Sequence, residues 1–276
     1  RKEIKSVDSD AILIGEVWED ASNKVSYGRQ REYLLGDELD SVMNYPLRKA
    51  LIGFACGLVD AHAFGMRIAS LHENYPRDAF YSLMNFLSSH DVERILTVLG
   101  DAPSADQLSR DEKAIYTLED SKLTLAAKRL ENVVLLQMTL PGVPCIYYGD
   151  EAGMQGYDDP FNRTTYPWGK ENEQIFSLYQ RMIAFRRKHN ILIKGDFKII
   201  YMYQRCIAFA RYDKQKLIVI SVNMDEKQQV FARLDLARFH PSHAIDMDTH
   251  SSLPLVNGII VYDLAPLSCR MIEVER

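Results

Sequence analysis

Continuous apolar runs recur along the first half of the chain, and three of them end in acidic residues. These runs are Ala11–Asp20, Leu83–Asp91 and Val143–Glu151. A continuous aliphatic run is typical of a strand buried on both faces of a parallel sheet. Asp40–Tyr45 predicts a fourth, shorter strand, closed by Pro46. Side chains that follow parallel strands meet at one edge of the sheet, which is where barrel proteins place their chemistry.

Apolar residues recur at helical spacing between these predicted strands. The spacing predicts helices over residues 47–63, 68–75 and 122–140, another that begins near Val92, and a last one capped by Asn172. Residues 1–193 are therefore interpreted as four βα units of an α/β protein. Four such units are half of a (β/α)8 TIM barrel, and a half barrel leaves both edges of its parallel sheet unpaired.

The pattern changes at Gly195, after which the apolar runs are short and no helical spacing intervenes. Residues 194–276 are therefore predicted to form a separate, antiparallel β-sandwich domain. Asn257-Gly258 is the dipeptide typical of a two-residue hairpin. The predicted strands are Phe197–Tyr203, Ile207–Tyr212, Leu217–Asn223, Val230–Leu236, Leu255–Val256, Ile259–Leu264 and Ser268–Val274.

Composition and charge argue against several kinds of partner. The 276 residues carry a net charge of −5 with no long basic run, which disfavours binding to nucleic acid or to an anionic membrane. No apolar run approaches the roughly 18 residues of a membrane-spanning helix. The four cysteines lie far apart and without metal-ligand spacing. We therefore expect no metal site and no other cofactor, and a reducing, cytoplasmic location.

Five segments in order carry a resemblance to a known family: Gly15–Trp18, Asp40–Tyr45, Phe86–Asp91, Pro141–Glu151 and Asp158–Trp168. Together they resemble the α-amylase family of glycoside hydrolases, and most closely its cyclomaltodextrinase, neopullulanase and maltogenic amylase branch. The resemblance implies strands 5 to 8 of the (β/α)8 barrel, followed by the family's β-sandwich. It also implies an α-glucan oligosaccharide as substrate.

The resemblance assigns roles to three residues. Glu16 matches the general acid and base, and a structural acid at the barrel rim is the alternative. Asp91 matches the acid that stabilises the transition state. The alternatives make Asp91 the nucleophile, which its motif does not support, or the N-cap of the helix near Val92. His90 matches a histidine that hydrogen-bonds sugar hydroxyls, and a structural histidine is its alternative.

Four further residues are substrate-binding candidates. Trp18 and Tyr45 are interpreted as stacking surfaces, because sugar rings present apolar faces to aromatic side chains. Core packing is the alternative for Tyr45. Asp159 and Arg163 match a substrate-binding pair in the family's loop after strand 8. A plain salt bridge between them explains their spacing equally well.

The family's strands 1 to 4 have no counterpart in these 276 residues. The aspartate nucleophile of the family belongs to strand 4. We therefore expect this chain to be the C-terminal fragment of a longer protein, and to be inactive alone, because a retaining glycosidase needs two carboxylates. The longer protein is expected to cleave α-1,4 bonds, with α-1,6 bonds as a further option, in cyclodextrins, pullulan or maltooligosaccharides.

Two other functions stay open. One is a non-catalytic, amylase-like sugar-binding or scaffold protein, against which the joint presence of Glu16, His90 and Asp91 argues. The other is a glucan-transferring enzyme of the same family.

The absent half of the barrel also predicts an exposed apolar surface. The inward faces of Ile12, Ile14, Phe86 and Ile146 would lie open. A self-associated pair of half barrels would cover that surface, so we expect a homo-oligomer.

Overall fold

The computed structural model describes residues 1–276, with nine α-helices and fourteen strands. None of the helices combines the length and the apolar character that a membrane crossing requires. The helices are α1 (Lys2–Val7), α2 (Tyr45–Ala55), α3 (Ala61–Asn74), α4 (Arg77–Ser82), α5 (Ile95–Leu99), α6 (Arg110–Ile115), α7 (Asp120–Thr139), α8 (Glu173–Lys188) and α9 (Ile191–Lys194). The strands are β1 (Ile14–Gly15), β2 (Val25–Ser26), β3 (Arg29–Gln30), β4 (Ser41–Val42), β5 (Met84–Phe86), β6 (Val143–Cys145), β7 (Asp196–Tyr203), β8 (Cys206–Tyr212), β9 (Lys216–Asn223), β10 (Val230–Asp235), β11 (His243–Asp246), β12 (Leu255–Val256), β13 (Ile259–Leu264) and β14 (Ser268–Glu275).

Four short strands run parallel in chain order, β1, β4, β5 and β6. Ile14 lies opposite Ser41, and Met84 lies opposite Val143. A single parallel bridge between Met43 and Met84 joins the two pairs. Pairing covers only two or three residues of each predicted run, so the strands are shorter than the runs. The loops that follow the four strands therefore lie at the same edge, called the carboxyl edge below.

Helices cover one face of these strands and share a cluster of 43 buried residues with them. The predicted single helix over 47–63 is wrong, because the chain breaks there into α2 and α3. Gly57 has a φ of +78° at the break, and the Asp60 side chain accepts the Ala63 N–H to start α3. Residues 68–74 belong to α3 as well.

The expectation that the first apolar run is buried on both faces is also wrong. Ile12 is 72% exposed and Ile14 48% exposed. Their exposure matches the expected open surface, whereas Phe86 is 2% exposed and does not belong to it. Phe86 is buried because it packs with Tyr45 and Val92 in a small cluster separate from the helix cluster. Among these three residues, exposure is thus confined to Ile12 and Ile14, just before β1 and in it.

Strands β7 to β14 form two antiparallel sheets. Their orders are β11-β14-β9-β8-β7 and β10-β13-β12. Sixteen buried residues from the two sheets and the turn after β10 make one cluster. The other face of the five-stranded sheet, with Phe209 and Ile220, belongs to the helix cluster. Val256 lies opposite Ile259, and Asn257 and Gly258 between them have positive φ angles, so the predicted two-residue hairpin is confirmed.

Arginines attach the five-stranded sheet to the helices. Arg205 donates to the carbonyl of Phe54 at 2.7 Å, near the end of α2. Arg211 is fully buried and donates to the carbonyl of Thr139 at 2.7 Å, at the end of α7. The last carbonyls of a helix have no partner within the helix. The arginines therefore satisfy them and join the two parts of the chain.

Candidate active site

Glu16 lies at the carboxyl edge, directly after β1. Its Oε1 accepts two hydrogen bonds, one from Nε1 of Trp18 at 3.0 Å and one from the hydroxyl of Tyr45 at 3.2 Å. Its Oε2 has no hydrogen-bond partner in the protein and is free to meet a ligand. The side chain is exposed on the side of the site that Ile12 and Ile14 also leave open. The described residues therefore enclose the Glu16 carboxylate on one side and leave its other side exposed.

The rings of Trp18 and Tyr45 stack on each other. Their centroids are 4.2 Å apart with an interplanar angle of 15°, and Phe86 meets Tyr45 edge-on at 4.7 Å. Burial, with the neighbouring charges of Glu16 and Asp91, raises the pKa of Tyr45 to about 12, so its hydroxyl remains a donor at neutral pH. Tyr45 is 5% exposed and Trp18 is 53% exposed. The geometry favours packing for Tyr45 and leaves one face of Trp18 for a ligand.

His90 and Asp91 occupy a tight turn after β5. A bridge between Ser89 and Val92 closes the turn, and the Asp91 N–H donates to the Ser89 hydroxyl at 3.2 Å. His90 Nε2 lies 3.2 Å from Asp91 Oδ2. The next helix, α5, begins at Ile95 rather than near Val92. The N-cap alternative for Asp91 is therefore wrong.

Arg163 connects the loop after β6 to this turn. Its Nε lies 3.0 Å from Asp159 Oδ1, which is the salt bridge that the spacing allowed. Its Nη2 also lies 3.6 Å from Asp91 Oδ1, and its Nε donates to the His90 carbonyl at 3.1 Å. The Asp159–Arg163 pair is thus part of the surroundings of Asp91 and not an isolated surface pair.

Glu16, His90 and Asp91 converge on one place. Their carboxylate oxygens and a histidine nitrogen lie within 4.8 Å of one another, and no other group of three acidic, histidine or cysteine side chains is as close. The His90 nitrogen nearest Asp91 is already paired with that carboxylate. The cluster therefore places two carboxylates and a histidine together at the carboxyl edge.

A buried ion pair joins the loops after β5 and β6. Arg94 is fully buried, with Nη1 3.4 Å from Asp150 Oδ1, and it donates to the Tyr148 carbonyl. Its guanidinium lies over the rings of Tyr147 and Tyr148 at 4.3 and 4.7 Å. Burial raises the pKa of Asp150 to about 7, although Arg94 opposes the shift. From the sequence, Asp150 is recognisable only as an acidic residue that follows a strand. Its burial depends on residues elsewhere in the chain and cannot be recognised from its sequence neighbours.

Sequence reasoning also missed Asn162. It is fully buried, and its side-chain amide donates to the carbonyls of Ser89 and Val92 on either side of His90 and Asp91. Its position within the segment Asp158–Trp168 was the only signal that could have drawn attention to it. A short polar side chain in a loop is otherwise unremarkable in a sequence.

Residues 1–168 match the family model described as alpha-amylase, catalytic domain. The chain is 38% identical over 222 residues to an amylopullulanase of Thermoanaerobacter thermohydrosulfuricus, an alignment that covers 76% of this chain and 14% of the relative. It is 33% identical over 233 residues to a cyclomaltodextrinase of Thermoanaerobacter pseudethanolicus, covering 83% of this chain and 35% of the relative.

A solved structure described as a cyclomaltodextrinase superposes on this chain with a TM-score of 0.79 at 27% identity. The superposition covers 99% of this chain and 42% of that one. This chain therefore spans less than half the length of each of these three relatives. Because the family model matches residues 1–168 of the 276, and two relatives exceed 30% identity over most of this chain, the chain belongs to the α-amylase family.

Proposed function

We propose that the parent protein, meaning the longer polypeptide to which this chain belongs, is a retaining α-glucan hydrolase. Its substrates are cyclodextrins, pullulan or maltooligosaccharides, and it cleaves α-1,4 bonds, with α-1,6 bonds as a further option. The convergence of Glu16, His90 and Asp91 is the observation that supports this proposal. The names amylopullulanase and cyclomaltodextrinase of the relatives are consistent with these substrates.

In the proposed reaction, Glu16 protonates the leaving oxygen of the glucosidic bond and then removes a proton from the attacking water. Oε2 exchanges the proton, because Oε1 is held by Trp18 and Tyr45. Asp91 and His90 bind the sugar at the scissile bond. The negative charge of Asp91 stabilises the oxocarbenium-like transition state.

Three side chains extend the proposed binding surface. The exposed face of Trp18 stacks on a sugar ring. Asp159 and Arg163 bind sugar hydroxyls at the loop after β6, where Arg163 also approaches Asp91.

We propose that the nucleophile comes from a part of the parent protein other than these 276 residues. Distance to Glu16 alone would allow Asp91 to attack the sugar. Its motif match is to the stabiliser, however, and its two oxygens are engaged by His90 and Arg163. The isolated chain is therefore expected to hydrolyse no glucan.

Residues 1–193 are, in this proposal, the C-terminal half of a (β/α)8 barrel, with β1, β4, β5 and β6 as its strands 5 to 8. Residues 194–276 are a β-sandwich domain. The parallel order of the four strands and the two antiparallel sheets with a shared core support this division. The four free cysteines support a reducing compartment such as the cytoplasm.

The test is reducing-sugar release from maltotriose by the parent protein and its Glu16→Gln variant. Removal of the acid and base is expected to lower kcat at least about 100-fold. Glu38→Gln is the matched control, because Glu38 is exposed and makes no hydrogen bond or ion pair, and it should retain full activity. Equal rates for Glu16→Gln and the wild type would refute the role of Glu16.

Product analysis in the same experiment separates the alternatives. A glucan-transferring enzyme would convert maltotriose into longer oligosaccharides, and a sugar-binding protein would leave it intact. Hydrolysis of maltotriose by the purified 276-residue chain would contradict the proposal that the nucleophile lies elsewhere.

A further inference from the structure

One buried amide holds both sides of the turn that presents His90 and Asp91. Asn162 Nδ2 donates to the Ser89 carbonyl at 3.1 Å and to the Val92 carbonyl at 2.9 Å. These two carbonyls flank the pair His90-Asp91 in the chain. Both hydrogens of the amide are therefore used to hold the base of the turn, at the point where Ser89 and Val92 bridge.

The orientation of this amide follows from its neighbours. Both partners are carbonyl oxygens, which only accept hydrogen bonds. If the amide were flipped, its oxygen would face these two acceptors and no hydrogen bond could form. Asn162 is fully buried, and its Oδ1 has no hydrogen-bond partner. A buried acceptor without a partner is unfavourable. In this protein, the unpaired Oδ1 of Asn162 accompanies an Nδ2 group that makes two hydrogen bonds.

The turn that carries Asn162 is itself attached to the segment after Asp91. A Cβ on Gly156 would lie 2.4 Å from the Phe161 carbonyl oxygen, so the backbone packs tightly there. Gly156 accepts the Arg94 N–H at 3.0 Å and donates to the Thr97 hydroxyl at 2.8 Å. The segment that carries Asn162 is thus hydrogen-bonded to the segment that follows the His90-Asp91 turn.

We propose that Asn162 is a positioning residue for Asp91 and His90. It touches no substrate and acts by keeping the Ser89–Val92 turn in one geometry. The inference rests on the proposed glucan hydrolysis, in which Asp91 must face the charge that develops on the sugar. A displacement of about 1 Å at such a group lowers the rate about 100-fold.

The test replaces Asn162 by aspartate in the parent protein, with maltotriose as substrate. At pH 8 the carboxylate would face two carbonyl oxygens and clamp neither, so kcat should fall about 10- to 100-fold while KM changes much less. Burial beside carbonyl oxygens raises the pKa of such a carboxyl, and its protonated form donates one hydrogen. The ratio of wild-type to variant kcat should therefore shrink as the pH is lowered toward 5.

Asn172→Asp is the matched control. The Asn172 side chain caps α8 by accepting the Ile175 N–H at 3.1 Å, and aspartate accepts the same bond. This variant should keep the wild-type kcat and pH profile.

Two results would overturn the positioning role. One is a kcat for Asn162→Asp within about twofold of the wild type at every pH, because a displaced catalytic group would lower kcat by much more than twofold. The other is a loss that is the same at every pH and is accompanied by a lower melting temperature, which indicates a merely structural residue.

A parent protein that leaves maltotriose intact would refute the proposed function, and amide hydrogen exchange then tests the clamp by itself. Exchange over residues 89–92 that is faster in Asn162→Asp than in Asn172→Asp supports it, and equal exchange overturns it.

Discussion

The two oxygens of Glu16 differ in their surroundings at the scale of single residues. Oε1 is held by Trp18 and Tyr45, and Oε2 is left without a protein partner. The sequence suggested a stacking face for Trp18, and for Tyr45 it left stacking on sugar and core packing both open. Stacking between them leaves only Trp18 with a free face, because Tyr45 is enclosed by Trp18 and Phe86. The positions of aromatic residues in the sequence predict which rings lie near a site. They do not predict which of these rings stack on each other and so lose an exposed face.

Asp150 should make the stability of this chain depend on pH. Burial raises its pKa to about 7, so between roughly pH 4 and 7 the folded protein holds a proton that the unfolded chain has released. Stability from this group is therefore present near pH 4.5 and lost as the pH rises through 7. The free energy of unfolding of the wild type, relative to Asp150→Asn, should fall by about 2–4 kcal/mol between pH 4.5 and 8.

Urea unfolding of both proteins at the two pH values measures this difference. Asp263→Asn is the control, since Asp263 is exposed on β13 and has no hydrogen-bond or ion-pair partner. It should change stability by less than about 0.5 kcal/mol at either pH. A wild-type advantage over Asp150→Asn that grows with pH would contradict the raised pKa.

The attachment of β8 to the helices is a property of whole elements. The short apolar run Ile207–Tyr212 predicts a strand, and a charged residue near its end is ordinary in a sequence. In the structure, Arg211 on β8 is fully buried and reaches the last carbonyl of α7. Burial lowers the pKa of Arg211 to about 10, so it stays charged at neutral pH. A helix end and a strand distant in sequence thus depend on each other.

Arg211→Met should destabilise the chain by about 2–4 kcal/mol, because it leaves the buried carbonyls of Thr139 and Gly195 without their donor. Arg233→Met on β10 is the matched control. Arg233 is exposed and makes no hydrogen bond, so its replacement should cost less than about 0.5 kcal/mol. Denaturant unfolding followed by circular dichroism compares the two, and equal midpoints would show that the helix-end bonds contribute nothing.

At the scale of the whole molecule, apolar residues are exposed at both end strands of the parallel sheet. Ile12 and Ile14 are exposed at and just before β1, and Val143 on the other end strand, β6, is 52% exposed. In the proposed parent protein the rest of the barrel covers this apolar surface. In the isolated chain, a second copy is the surface available to bury it.

The isolated chain should therefore associate with itself as its concentration rises. Light scattering should give a mass near that of a dimer at high concentration, and the double variant Ile12→Lys/Ile14→Lys should stay monomeric. Val256→Lys is the control, because Val256 is an equally exposed apolar residue on β12 and should leave association unchanged. A wild-type chain that is monomeric at every concentration would contradict the prediction.

The sequence by itself determined the features that local patterns encode. The four parallel strands in chain order, the acids after β1 and β5, the Asn257-Gly258 hairpin and the membership of the α-amylase family are of this kind. Each depends on neighbouring residues, whose spacing and backbone preferences act over a few positions.

Only the tertiary structure decided which side chains are buried, paired or left open. The clamp of Asn162, the burial of Asp150 and the exposure of Ile12 each depend on segments distant in sequence. Burial and pairing are set by what packs against a residue from elsewhere in the chain, and no local pattern records that neighbour.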